Sequence, residues 1–257
     1  MHAYDFISLP VRTKKPREQG LTSILDKGLG VMQLRDFLAD AAPYVDIVKF
    51  GWGTSRLFTA ERLRAKIRIL HDNEIYVCPG GTLLEVAVAQ NCTTVFFTEI
   101  KQLGFTCVEI SDGTVAMSHE AKLGLIRQAR KHQLCVLSEI GKKSPCEDSE
   151  LSVDERIAQA RAELDAGAWK IIIEGRETGT VGVFDAEGDV QSQEVDQIVH
   201  AIGLQNLIFE APQKKQQTWF FKHYGNHVNV GNIPPSEAIP VETLRSGLRA
   251  DTLKEHH

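Results

Sequence analysis

The chain has 257 residues, 42% of them apolar and 25% charged, and 29 lysines and arginines stand against 34 aspartates and glutamates for a formal charge of -5. These proportions are those of a folded globular protein, and they exclude a disordered, collagen-like or coiled-coil chain. The acidic balance argues against a general nucleic-acid binder, and the lack of any long apolar run argues against a membrane partner, so a cytoplasmic protein is expected.

Residues 1–20 read as an N-terminal arm, basic at Arg12, Lys14, Lys15 and Arg17 and expected to be solvated and mobile. From residue 21 to 257, short β-prone runs alternate with stretches of helical period. The predicted strands are Leu21 to Leu25, Val45 to Phe50, Ile75 to Cys78, Phe105 to Ile110, Leu134 to Ile140, Trp169 to Ile173, Leu207 to Phe209 and Val228 to Val230. Eight βα units of roughly 30 residues, with no Pro/Gly/Ser-rich linker between them, predict one domain with the TIM (β/α)8 barrel fold.

The helices between them carry their own marks. Leu57, Ala60, Leu63, Ile67 and Leu70 recur at spacings of three and four, an apolar stripe to lay on the sheet. Ser152 with Glu155 reads as a capping box ahead of Val153, Ile157, Ala160 and Leu164. Between Thr82 and Leu103 the helical period is interrupted by the β-prone Thr93 to Thr98, where a ninth strand is the alternative. The five cysteines, Cys78, Cys92, Cys107, Cys135 and Cys146, form no CxxC pair and read as reduced core thiols.

A barrel of this kind places its chemistry at the C-terminal ends of the strands. There the chain sets Asp26 and Lys27, Lys49, Pro79-Gly80-Gly81-Thr82, Glu109 to Gly113, Glu139 with Lys142 and Lys143, Glu174 with Arg176 and Glu177, Glu210, and Asn229 with Asn232. Glycines in these turns let backbone N–H groups approach an anion at a helix N-terminus, which points to a phosphate-bearing ligand or simply to tight turns. Gly80, Gly81, Thr82, Ser111, Asn229, Gly231 and Arg176 are the candidate phosphate contacts. Glu139, Glu174 and Glu210 are candidate ligands for a hard cation such as Mg2+; each could equally be the partner of a neighbouring cation. The histidines fall in or near predicted helices, away from the strand ends. No Walker A, Rossmann, HExxH, GxSxG or EF-hand pattern occurs.

At these turns the sequence resembles the phosphosulfolactate synthase family, which acts in one route to coenzyme M. The likeness rests on KFGWGTS at 49–55, PGGTLLE at 79–85, VEISDGT at 108–114, SEIGKK at 138–143, IIEGRETGTVGVFD at 172–185, IFEAPQKKQQ at 208–217, VNVGNI at 228–233 and ETLRSGLRADT at 242–252. Val95 to Phe97 departs from it, being more apolar than the helix expected there. The resemblance implies a Mg2+-dependent lyase, working in the joining direction as a homo-oligomer, that adds sulfite to phosphoenolpyruvate to give (2R)-phospho-3-sulfolactate. Two anions must then be held together. Unit charges 4 Å apart at an effective dielectric near 20 repel by roughly 4 kcal/mol, so cations are expected to gather at the mouth. Lys49, Arg176 and Lys142 or Lys143 are those expected, with Lys143 or Lys142, then Lys49, delivering a proton through a lowered pKa. The alternatives are a non-catalytic stress-tolerance relative of the family that acts through protein contacts, and a different enolpyruvate or aldolase-type reaction on the same barrel.

Overall fold

The computed structural model describes residues 3–141 and 151–253. Eight parallel strands form the wall: β1 (Thr22–Asp26), β2 (Ile47–Phe50), β3 (Tyr76–Cys78), β4 (Cys107–Ile110), β5 (Cys135–Ile140), β6 (Lys170–Ile173), β7 (Leu207–Glu210) and β8 (Val230–Ile233). They are hydrogen-bonded in the order β3-β2-β1-β8-β7-β6-β5-β4, so the first and last strands of the chain are neighbours. The remaining seam, between β3 and β4, is closed by Thr106. Its N–H donates to the Val77 carbonyl at 3.2 Å, and the Val77 N–H donates to its hydroxyl oxygen at 2.9 Å. This is the TIM barrel expected from the repeat, in a single domain.

The period of two along each strand sorts the side chains. Leu21, Ile47, Cys78, Cys107, Leu137, Ile172 and Ile208 fill the barrel interior as one apolar cluster. The alternate set, including Val48, Phe50, Val108, Ile110, Val136, Ile171, Ile173 and Phe209, points outward into the larger core beneath the helices. One step further along the inward set come Lys49, Glu109, Glu139, Glu174 and Glu210, all buried. The alternation that makes the apolar plug therefore also places a charged layer above it.

Nine α-helices surround the wall among the described residues: α1 (Val31–Ala41), α2 (Ala60–His71), α3 (Gly81–Ala89), α4 (Thr93–Leu103), α5 (His119–Lys131), α6 (Val153–Asp165), α7 (Ser192–Ile202), α8 (Lys214–Tyr224) and α9 (Ala238–Arg245). The capping box at α6 forms as the spacing predicts: the Glu155 N–H donates to Ser152 Oγ at 3.3 Å and the Ser152 N–H to Glu155 Oε2 at 2.8 Å. The ambiguous Thr93 to Thr98 run is helical, because Phe97 and Ile100 share one buried face of α4, which Gly104 ends at φ 100°. Leu57 leaves the predicted stripe: it lies in the turn before α2 and is 85% exposed, while Leu63, Ile67 and Leu70 are buried.

Residues 3–9 of the arm are exposed, as expected, but from Arg12 on its basic side chains other than Lys14 are anchored. Arg17 donates to the Pro43 carbonyl at 2.8 Å and pairs with Asp46 at 3.3 Å, Arg12 pairs with Glu242 at 3.1 Å, and Lys15 donates to the carbonyls of Ala42 and Asn73. Glu18 accepts from the Trp169 indole at 2.8 Å and lies 3.5 Å from Lys170. The partners are the starts of strands and the loops before them, so the arm covers the N-terminal end of the barrel, opposite the charged layer.

Candidate active site at the barrel mouth

A cavity of about 210 Å3 opens at the C-terminal ends of the strands, with Lys49, Gly80, Gly81, Thr82, Glu109, Glu139, Glu174, Arg176, Glu210 and Asn232 among its lining. Lys49 is its hub. Its ammonium lies 2.9 Å from Glu210 Oε1 and 3.0 Å from Glu109 Oε2. Burial alone would lower the Lys49 pKa, but Glu109, Glu210 and Glu139 together hold it well above the ordinary value. The lowered lysine pKa expected from a cation-rich mouth is thus reversed at Lys49, because its neighbours are carboxylates.

Glu139, Glu174 and Glu210 each offer a carboxylate oxygen, and these atoms all lie within 4.8 Å of one another. Burial first, then the charges of Glu139 and Glu210, push the Glu174 carboxyl far up, and its Oε2 is buried without a hydrogen-bond partner. Glu210 goes the other way: burial would raise it, but Lys49 and the Gly175 N–H hold it down. Three convergent oxygen donors with one orphaned buried oxygen suit a hard divalent cation. Of the cations expected at the mouth, Lys49 and Arg176 line it, and they face four glutamates of the inward layer. Lys142 and Lys143 lie outside the described residues.

The glycine turns serve these carboxylates. The Gly81 N–H, at the start of α3, donates to Glu109 Oε1 at 2.8 Å, so the helix N-terminus already holds an anion belonging to the chain. A Cβ on Gly81 would collide with Ser111 Oγ, and one on Gly80, whose φ is 79°, would come 2.9 Å from the Phe50 carbonyl oxygen. The N–H groups of Gly175 and Arg176 both donate to Glu210 Oε2 at 3.1 Å. Arg176 itself lines the cavity with φ 58°.

Three expected phosphate contacts are placed elsewhere. Ser111 is buried and donates to Glu85 Oε1 at 2.5 Å, an interaction that folds the β4–α5 loop, whose Thr114 and Val115 N–H groups donate to the other oxygen of Glu85. Asn229 sits at the opposite end of the barrel, accepting from the Leu21 N–H and donating to the Leu207 carbonyl. Gly231 lies within β8, where a Cβ would meet Ile208 at 3.1 Å in the barrel interior. The residue that β8 presents to the mouth is Asn232. The β1–β8 register runs from Thr22↔Val230 to Ile24↔Ile233, one extra residue on β8, and Asn232 stands in that bulge at φ 55° with its Oδ1 buried and unpartnered. Reading β8 as Val228 to Val230, about three residues early, assigned the role to Asn229.

Fold and site together define a TIM-barrel protein whose reactive groups gather at the mouth around a buried carboxylate cluster. Comparison with known proteins agrees with this and is more specific. A family model described as (2R)-phospho-3-sulfolactate synthase (ComA) matches residues 10–251. The phosphosulfolactate synthase of Methanothermobacter thermautotrophicus is 41% identical over 254 residues, covering 98% of each chain. That of Methanocaldococcus jannaschii is 44% identical over 236 residues, covering 91% of this chain and 94% of its own. Among solved structures, 3-hexulose-6-phosphate synthase from Salmonella typhimurium superposes with a TM-score of 0.57 at 13% identity, over 92% of this chain and all of that one, and so shares the fold. The chain belongs to the phosphosulfolactate synthase family, and its synthase relatives indicate an enzyme with small-molecule substrates. Among the described residues no helix is long and apolar enough to cross a membrane.

Proposed function

We propose that the chain is a Mg2+-dependent carbon–sulfur lyase that joins sulfite to phosphoenolpyruvate, giving (2R)-phospho-3-sulfolactate. The observation that carries this reading is the Glu139–Glu174–Glu210 cluster beside a charged Lys49, inside a mouth of the right size for two small anions. Glu139, Glu174 and Glu210 would hold the cation. When bound, Mg2+ supplies positive charge against the charge that develops on the substrate carboxylate.

In the reaction the sulfite sulfur attacks the methylene carbon of phosphoenolpyruvate, the C=C electron pair moves into the carboxylate, and the resulting aci-carboxylate takes a proton at C2. Lys49, locked by Glu109 and Glu210, contributes a fixed positive charge and is a poor proton donor while its pKa stays high. Proton delivery at C2 falls to Lys143 or Lys142. Arg176 attracts the anions from the rim, and the unpartnered Oδ1 of Asn232, an acceptor, offers the cation a further oxygen. The reading includes a homo-oligomer in the cytoplasm that binds no nucleic acid, with sedimentation equilibrium as the check on its size.

The test is to mix the full chain with phosphoenolpyruvate, sulfite and Mg2+ and follow the enol absorbance. Consumption that stops when a chelator is added supports the reading; no consumption with any divalent cation rejects it. Carbon–carbon chemistry on the same barrel would show as consumption with other nucleophiles and none with sulfite.

A further inference from the structure

The GWG turn at Gly51-Trp52-Gly53 is not used by the chemistry above. Trp52 adopts a left-handed backbone conformation, φ 56° and ψ 25°, followed by Gly53 at φ 67°. A tryptophan in this region is strained, and strain of this kind collects at functional sites. The turn holds the ring 56% exposed on the lining of the mouth cavity. Over that ring, 4.5 Å from its centroid, stands the ammonium of Lys27 from the loop after β1. The same ammonium pairs at 3.2 Å with Glu177 from the loop after β6, and both side chains are about two-fifths exposed. Glu177 also lines the cavity. The contact spans the mouth, because β8 and β7 lie between β1 and β6 in the wall.

The mouth must receive two anions through an acidic layer. Lys49 is committed to two buried carboxylates, and removing it from them would leave charges uncompensated in a dry site. Lys27 is differently placed: its bond to Glu177 is solvent-exposed, and such pairs contribute little to stability. An arriving oxyanion can therefore replace the Glu177 carboxylate at small cost. The Trp52 face keeps the ammonium aimed at the opening while the exchange occurs.

We infer that Lys27 is a substrate-positioning residue that takes an oxyanion of the incoming substrate, phosphoryl or sulfite, in exchange for Glu177, with Trp52 as its aromatic rest. This rests on the proposed reaction for the identity of the anion, but not for the existence of the anion site.

Steady-state kinetics of the full chain test it. Lys27→Met is expected to raise KM for one of the two anions by about tenfold with kcat within about twofold, and the affected substrate identifies which group Lys27 holds. Lys27→Arg should restore most of the loss, and Glu177→Gln should lower the same KM, because the competing carboxylate is gone. KM values for both substrates within about twofold of wild type in Lys27→Met would overturn the inference, as would a loss confined to kcat. Should the chain not act on phosphoenolpyruvate and sulfite, the site is still testable by titrating inorganic phosphate against tryptophan fluorescence. A change that is absent in Trp52→Phe and weakened about tenfold in Lys27→Met supports the anion site, and an equal response in all three proteins rejects it.

Discussion

Lys49 Nζ lies 2.9 Å from Glu210 Oε1, and both side chains are at most one-tenth exposed. The pair joins β2 to β7 across the barrel interior, so each partner is desolvated only because the other is there. Lys49→Met is expected to abolish turnover, by about a hundredfold or more, through loss of the fixed charge at the reacting centre. It should also destabilise the fold by about 3 kcal/mol, because Glu109 and Glu210 are left buried without a counter-ion. Adding Glu210→Gln to Lys49→Met should recover part of the stability and none of the activity. Urea midpoints for the three proteins measure this; a double variant no more stable than the single one would show that the pair is not coupled.

Glu174 behaves in the opposite sense. Its carboxylate is crowded by Glu139 and Glu210, and burial adds to the cost of charging it. Glu174→Gln should leave the stability of the metal-free protein near neutral pH within about 0.5 kcal/mol, because a carboxyl pushed so far up already holds its proton there, while removing most of the activity together with the proposed cation ligand. Thermal melts with and without Mg2+ give a second reading. Saturating Mg2+, at about 100 times Kd, should stabilise the wild type by about 2.7 kcal/mol, and this increment should shrink or vanish in Glu174→Gln. A variant that binds and responds to Mg2+ like the wild type would remove Glu174 from the cation site.

The charged layer of the mouth was open to reading from the sequence because it obeys a simple alternation. Lys49, Glu109, Glu139, Glu174 and Glu210 each stand two residues beyond an inward apolar residue, namely Ile47, Cys107, Leu137, Ile172 and Ile208. What a list of strand-end residues lacks is the sum of their charges once they converge: Lys49 meets carboxylates from β4 and β7, and no local pattern tells which cations they neutralise. The arm is hidden for the same reason. Arg12 and Arg17 read as solvated charges until Asp46 and Glu242, far along the chain, come beside them. Asn232 is named with Asn229 at the strand ends but not among the candidate contacts, because a bulge breaks the period of two, and bulges arise from the pairing of β8 with β1 rather than from the residues of β8 alone.

That bulge makes Asn232 a test of backbone and side chain separately. At φ 55° glycine is comfortable and alanine is strained. Asn232→Gly and Asn232→Ala both remove the amide, so each should lower kcat/KM by about tenfold or more. Only Asn232→Ala should also lose stability, by about 1 kcal/mol, because asparagine tolerates the left-handed region better than alanine does. Equal activity in Asn232→Gly and the wild type would show that the orphaned Oδ1 has no part in binding.

The arm supplies a pH dependence whose sign follows from Lys15. Burial, the largest influence, lowers its ammonium from 10.5 to about 8, against the partly opposing charge of Asp46. Below pH 8 both the folded and the unfolded chain hold the proton, and the fold bears the full cost of a half-buried charge. Between pH 8 and 10.5 the unfolded chain binds more protons than the folded one, so the contribution of Lys15 to stability rises with pH, and above 10.5 the rise is complete. Lys15→Met removes this increment along with the hydrogen bonds to the Ala42 and Asn73 carbonyls. The stability of the wild type minus that of Lys15→Met, from urea midpoints at pH 7.5 and pH 10, should therefore grow with pH. The other titrating groups are common to both proteins and cancel in the difference. A gap that stays constant or narrows would place the Lys15 ammonium in water, and with it would go the packing of the arm against the base of the barrel.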